Sequence, residues 1–191
     1  PVLLEKFMRS FRYYREWHRQ QPNPAFIPWH TQAYYKVFLI TGEQELADFI
    51  FEMSDWLLPM QEWGSDRPID TLGRFYDPRH PEYGPPHASS TGVYMEGLID
   101  AFALARKLGD AARAEAYRLV LIRALRDCRQ LSFRDDRDMF YVSKREFLKG
   151  GLRTTIYDNQ VRVDNVQHNQ MAILKILAEF KDEDFIHPPV E

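Results

Sequence analysis

The chain has 191 residues, of which 45% are hydrophobic and 28% are charged. This length and composition allow the hydrophobic core of one domain and exclude both a disordered chain and a disulfide-stapled miniprotein. The formal net charge is −3, so no global basic field favours a nucleic-acid partner. A single cysteine, Cys128, leaves no internal disulfide to form.

The apolar runs are all far shorter than the roughly 20 residues that a membrane-spanning helix requires. Nothing in the sequence resembles a signal peptide. We therefore predict a cytoplasmic location and no membrane partner. The chain begins at Pro1 inside a helical pattern, so we expect it to be a fragment or the C-terminal part of a longer polypeptide.

The first third of the chain has the hydrophobic spacing of three helices. Apolar residues at three- and four-residue steps predict a helix over residues 2–20. A second helix is predicted over residues 28–40 and a third over residues 43–63. Gly42 between them suits a left-handed cap, so we expect these two helices to form an antiparallel hairpin.

Residues 63–88 are predicted to form a long loop, since glycines and prolines interrupt every regular pattern there. The loop is rich in aromatic residues, which disordered segments seldom contain, so we expect it to be ordered over a surface. Ser89-Ser90-Thr91 then offers an N-cap for a helix ending at Leu108. Gly109-Asp110 forms the next corner, and residues 111–130 form the return helix.

A further helix from Asp164 to Phe180 begins like the inner helix of another hairpin. Between the hairpins, residues 131–163 contain short strand-like runs that predict a small β-hairpin insertion. Repeated helical hairpins are typical of a solenoid or a closed ring. We therefore predict that residues 1–191 form one mainly α-helical domain built from such hairpins.

Polar residues recur where each of three predicted inner helices begins, at residues 29–32, 87–91 and 164–170. In a ring of antiparallel hairpins the inner helices are parallel, so their N-terminal ends meet at one mouth. Helix N-termini add positive potential there, which suits carboxylates and sugar hydroxyls. The alternative is that these residues only cap helices.

Three carboxylates are candidates for acid and base chemistry. Asp77 lies in the aromatic loop, Glu96 lies on an otherwise apolar helix, and Asp164 precedes the third inner helix. Cleaving or epimerising a sugar requires an acid and a base near one carbon. The alternatives are a salt bridge from Glu96 to a neighbouring helix and an N-cap role for Asp164.

Other motifs offer no cofactor or metal site. The acidic run at residues 135–138 falls between strand-like segments and favours a turn over a magnesium site. The six histidines lack the spacing of a zinc site, and no phosphate-binding glycine loop or serine-nucleophile motif is present. We therefore predict neither a metal nor a nucleotide cofactor.

Two segments carry a family resemblance. They are Pro86-His87-Ala88-Ser89-Ser90 followed by an apolar helix, and Arg162-Val163-Asp164 followed by His168-Asn169-Gln170. Both are similar to segments of the six-hairpin, or (α/α) toroid, superfamily of carbohydrate-active proteins, and loosely to the C-terminal domain of glucuronyl C5-epimerases. A complete toroid contains about twice as many helices. The chain would then form part of a ring, completed by missing N-terminal hairpins or a second copy.

The resemblance implies a domain that binds or processes a poly- or oligosaccharide, as a glycosidase, lyase or epimerase. In this interpretation Glu96 with Asp164 or Asp77 is the acid and base pair. The residues expected to contact the sugar are Trp29, His30, Gln32, Tyr76, Tyr83, His87, Tyr94, His168 and Asn169. Whether the chain is an enzyme stays open, because a non-catalytic helical scaffold that binds a peptide or partner protein is the alternative.

Overall fold

The computed structural model describes residues 2–186, and this part of the chain is mainly helical. Its seven α-helices are α1 Val2–Gln20, α2 Ile27–Thr41, α3 Gln44–Leu57, α4 Ala88–Leu108, α5 Ala111–Leu131, α6 Arg145–Leu148 and α7 Val163–Glu179. Short 3-10 turns lie at Pro24–Phe26, Leu58–Met60, Pro81–Tyr83 and Asp182–Phe185. Among these helices none combines the length and apolarity needed to cross a membrane.

Glycine corners join the helices into hairpins, as the sequence predicts. Gly42 has a φ of 70° and ends α2, while Gly109 has a φ of 74° and ends α4. A residue with a side chain is strained at such angles, so glycine suits both corners. Helix α3 ends at Leu57, earlier than predicted, because Pro59 cannot donate the backbone hydrogen bond that would extend it.

Helix α4 lies at the centre of the molecule and packs against α2, α5 and α7. Most of its residues are buried, which explains why its sequence is apolar on nearly every side. Large aromatic side chains fill much of the surrounding core, and the fully buried ones are Phe11, Phe49, Phe102, Tyr117 and Phe133. Much of the aromatic content of the chain therefore stabilises packing.

Two glycines let α4 approach its neighbours closely. A Cβ atom on Gly97 would lie 2.6 Å from the Cα atom of Pro28 in α2. A Cβ atom on Gly92 would lie 2.7 Å from the backbone nitrogen of Asn169 in α7. Such distances are shorter than van der Waals contact, so a larger residue at either position would push two helices apart.

The predicted β-hairpin insertion is not confirmed. Residues 131–163 contain two isolated β-bridges, Ser132 with Leu152 and Arg153 with Val161, and no continuous strand. The Asp135 carboxylate accepts hydrogen bonds from the backbone nitrogens of Arg137 and Asp138. These local bonds hold a turn in place of a strand ladder.

The close approach of α4 to α2 can be tested with Gly97→Ala. We expect a loss of about 1–3 kcal/mol in the free energy of unfolding, because the new methyl group meets the backbone at Pro28. Urea denaturation followed by circular dichroism measures this loss. Gly109→Ala is a reference for backbone strain without a steric clash, since its Cβ atom meets no atom within 4 Å but its φ is 74°. An unchanged free energy of unfolding in Gly97→Ala would contradict the role of Gly97.

Candidate functional site

Helices α2, α4 and α7 begin around one cavity of about 270 Å³, which we call the mouth cavity. Its lining residues come from all three helix starts and from the loop before α4: Ala25, Trp29, Tyr83, His87, Ser89, Ser90, Val93, Tyr94, Asp164 and His168. Asn169 lies beside Gly92 and Lys175 pairs with Asp100, so α7 and α4 run parallel away from the cavity. Six of the residues predicted from the sequence thus share one cavity.

His168 in α7 pairs with Glu96 in α4 behind the mouth cavity. The His168 Nδ1 and Glu96 Oε1 atoms are 2.8 Å apart, and the two side chains are only 18% and 9% exposed. A carboxylate can only accept a hydrogen bond, so Nδ1 carries the hydrogen. In the neutral ring, the Nε2 atom of His168 is then left as a hydrogen-bond acceptor and a proton acceptor.

In His87 the roles of the two ring nitrogens are the reverse of those in His168. It is the N-cap of α4, and its Nδ1 atom accepts from the backbone nitrogen of Ser90 at 3.3 Å. Burial lowers the pKa of His87, and the charge of Arg162 lowers it further, so the ring is neutral at pH 7. A neutral ring that accepts at Nδ1 carries its hydrogen at Nε2 and donates from there. The cavity therefore has one imidazole acceptor and one imidazole donor.

A polar network beneath the cavity ties the three helices together. Gln32 of α2 donates to Glu96 Oε2 at 3.4 Å. The Lys175 ammonium of α7 is 2.7 Å from both Asp100 Oδ2 and the backbone oxygen of Glu96. Burial raises the pKa of Asp100, while the charge of Lys175 opposes that rise. Glu96 is thus held by partners on both sides instead of facing the cavity as a free acid.

The other two predicted carboxylates are both paired with arginines. Asp164 lines the mouth cavity and accepts hydrogen bonds from Arg162 at 3.0 and 2.7 Å. Burial alone would raise the pKa of Asp164, but the bonds and charge of Arg162 outweigh burial and lower it. Arg162, not Asp164, occupies the N-cap position of α7, so the predicted N-cap role of Asp164 is wrong.

Asp77 and Tyr76 lie elsewhere, in a separate cavity of about 410 Å³ that Trp63 also lines. Arg79 donates two side-chain hydrogen bonds of 2.9 Å to Asp77 and lowers the pKa of that carboxyl to about 2. The structure therefore does not bring Asp77 together with Glu96. Asp77 lies in the long loop, where its carboxylate binds Arg79, two residues further along the chain.

His30 also departs from the predicted cluster. Its ring stacks on Tyr14 with a centroid distance of 3.5 Å, and its Nδ1 atom lies 2.8 Å from the Phe26 oxygen. Consecutive helical residues point about 100° apart, so Trp29 faces the mouth cavity while His30 faces α1. Two of the three predicted histidines meet at the cavity.

Asn169 joins helices instead of facing a ligand. It is fully buried, and its amide nitrogen donates to the backbone oxygens of Ala88 at 2.8 Å and Asn165 at 2.7 Å. The Cys128 thiol donates to its amide oxygen at 2.6 Å. These bonds fasten the start of α7 to the start of α4, so the sequence-based assignment of Asn169 to sugar binding is wrong.

Asp127 is an important buried group that the sequence analysis did not single out. It accepts a hydrogen bond from the Thr91 hydroxyl at 2.9 Å and is 2% exposed. Burial raises its pKa to about 7, although the Thr91 bond and the charges of Arg74 and Arg126 oppose the rise. Its position in the sequence indicates burial, since it falls on the same apolar face of α5 as Ala124.

Comparisons with known proteins identify no relative. No family model, no curated protein and no solved structure matches the chain. Within residues 2–186 no group of three or more histidine, cysteine, aspartate or glutamate side chains could hold a metal ion. Function is therefore argued from the geometry of the mouth cavity.

The buried Asp127 carboxyl predicts a specific pH dependence of stability. The folded state binds this proton more tightly than the unfolded chain, so the free energy of unfolding falls as pH rises from about 4 to about 7. Asp127→Asn removes this contribution. We expect the variant to gain about 2 kcal/mol relative to the natural chain when urea denaturation is moved from about pH 5 to about pH 8.

The matched control is Asp136→Asn, because the Asp136 side chain is 84% exposed. This control should keep the same difference from the natural chain at both pH values. A pH profile of Asp127→Asn that runs parallel to that of the natural chain would show that Asp127 ionises normally.

The Glu96 and His168 pair predicts one imidazole tautomer. In the natural chain, nitrogen NMR of the neutral His168 ring should show hydrogen on Nδ1 and a bare Nε2. Glu96→Gln should give a mixture of tautomers, because a neutral amide can donate as well as accept. Asp100→Asn is the control, since Asp100 lies one turn further along α4 and pairs with Lys175. Hydrogen on Nε2 in the natural chain would disprove the assignment.

Proposed function

We propose that the chain is part of an (α/α) toroid whose mouth cavity binds a poly- or oligosaccharide. The parallel α2, α4 and α7 would be the inner helices of an arc, with α3 and α5 as outer return helices. Missing hairpins or a second copy of the chain would complete the ring. The proposal agrees with the family resemblance of the segments that begin α4 and α7.

The observation that carries the proposal is the shared cavity of aromatic and hydrogen-bonding residues. Trp29 is 53% exposed, so its ring is free to stack on the apolar face of a sugar. His87 offers a donor and His168 an acceptor in the same cavity. A sugar hydroxyl both donates and accepts, so the two rings suit neighbouring hydroxyl groups.

The same arrangement supports proton transfer on a sugar. His168 is the candidate base, because in the neutral ring whose Nδ1 hydrogen is bonded to Glu96 the Nε2 atom carries no hydrogen. When His168 takes a proton, the Glu96 carboxylate stabilises the charged ring. His87 is a candidate hydrogen-bond donor to a sugar oxygen and not a general acid, since its ring is neutral and carries its hydrogen at Nε2. Glu96 thereby acts through His168, and the reaction belongs to the glycosidase, lyase or epimerase type.

A second candidate function is that of a helical scaffold for a partner protein. Met171, Leu174 and Leu177 form an exposed apolar stripe along α7, and their exposures are 47%, 54% and 61%. Contiguous exposed apolar residues are typical of interaction surfaces. In the toroid, the next hairpin or another copy would pack on this stripe. The scaffold function can therefore exist alongside saccharide binding or in its place.

Calorimetric titration with a panel of neutral and uronic-acid oligosaccharides tests the proposal. We expect one class to bind and His168→Ala to weaken that binding about tenfold, because a buried hydrogen bond is lost. Tyr157→Ala is the control, since Tyr157 is 86% exposed and lies outside the mouth cavity. If no class binds, the saccharide proposal is wrong and the scaffold function is favoured.

A further inference from the structure

An aromatic groove of about 230 Å³ lies between α1 and the start of α2. We call it the α1–α2 groove, and its lining residues are Tyr13, Tyr14, Trp17, Phe26 and His30. Tyr13 is 75% exposed and Phe26 is 41% exposed. These two rings lie beside Tyr14, Trp17 and His30, so the exposed aromatic side chains form one cluster and are not scattered singly.

Four of the five rings of the groove, all except Tyr13, pack against one another. Tyr14 stacks on His30 with an interplanar angle of 5°, and His30 is tied to the backbone oxygen of Phe26. Trp17 meets the edge of Phe26 at a centroid distance of 5.7 Å. Rigid aromatic walls lose little conformational entropy when a ligand binds, so this geometry favours binding.

The groove and the mouth cavity are separate, but they lie on adjacent sides of one short segment. Ala25 and Trp29 line the cavity, while Phe26 and His30 line the groove. Neighbouring Cα atoms are about 3.8 Å apart, so one width of backbone separates the two sites. A linear ligand that leaves the cavity past Trp29 would meet the groove next.

We propose that the α1–α2 groove is a second subsite, which holds the sugar units that follow the one in the mouth cavity. This inference rests on the proposed saccharide function and adds where further units of the saccharide chain bind. Asp, Glu, Lys and Arg side chains do not line the groove. The contact is therefore stacking of aromatic rings on the apolar faces of sugar rings, and it depends on chain length and not on sugar charge.

The test uses saccharides of the class that binds in the titration panel, prepared as chains of one to six sugar units. In the natural chain, affinity should rise with length as the ligand reaches the groove. Tyr13→Ala should lower affinity for the longest saccharide about three- to tenfold and leave the shortest unchanged, because one stacking contact is lost. Tyr157→Ala is the control, since Tyr157 is 86% exposed and lies outside the groove.

The outcomes separate the two proposals. Equal affinity for all lengths, with His168→Ala still weakening binding, would overturn the second subsite and keep the proposed function. Binding by no saccharide of any length would overturn both. Equal losses for Tyr13→Ala and Tyr157→Ala would overturn the second subsite. If Tyr13→Ala abolishes self-association in sedimentation, the groove is an interface between copies and the subsite is likewise wrong.

Discussion

The structure depends on the close approach of α4 to both α2 and α7. Gly97 admits the backbone of Pro28, and Gly92 admits the start of α7. Glu96 lies between these two glycines, so both neighbouring helices are near enough to reach its carboxylate. With a side chain at either glycine, His168 would move away from Glu96, and the helix starts would no longer surround one cavity.

Close packing of three helices also favours pairing of the polar groups buried between them. Asn169 is paired through three hydrogen bonds, and Asp127 is paired with Thr91 and has a raised pKa. Lys175 offsets the charge of Asp100 and also bonds to α4. Such bonds hold the helix starts in register, which keeps His87 and His168 at the same cavity without a ligand.

The sequence was sufficient for the helices and corners, because hydrophobic spacing and glycine conformations are local properties. It also placed His87 and His168 together, since both begin parallel helices. It failed for His30, whose direction depends on the stacking partner Tyr14 in another helix. It failed for Asn169, because its bonding partners include residues of α4 and α5. It also failed for the Thr91 partner of Asp127, although the place of Asp127 on the apolar face of α5 indicates burial.

The two cavity histidines differ from ordinary capping residues because each has a second ring nitrogen after the first has made its structural hydrogen bond. Serine or aspartate would cap α4 as well as His87 does, and many polar residues could pair with Glu96. Imidazole alone offers a second nitrogen after the first has satisfied the fold. His87 uses Nδ1 to cap α4, His168 uses Nδ1 to bond α7 to Glu96 of α4, and each ring has a second nitrogen besides. Packing of the helices does not require a second nitrogen on either ring.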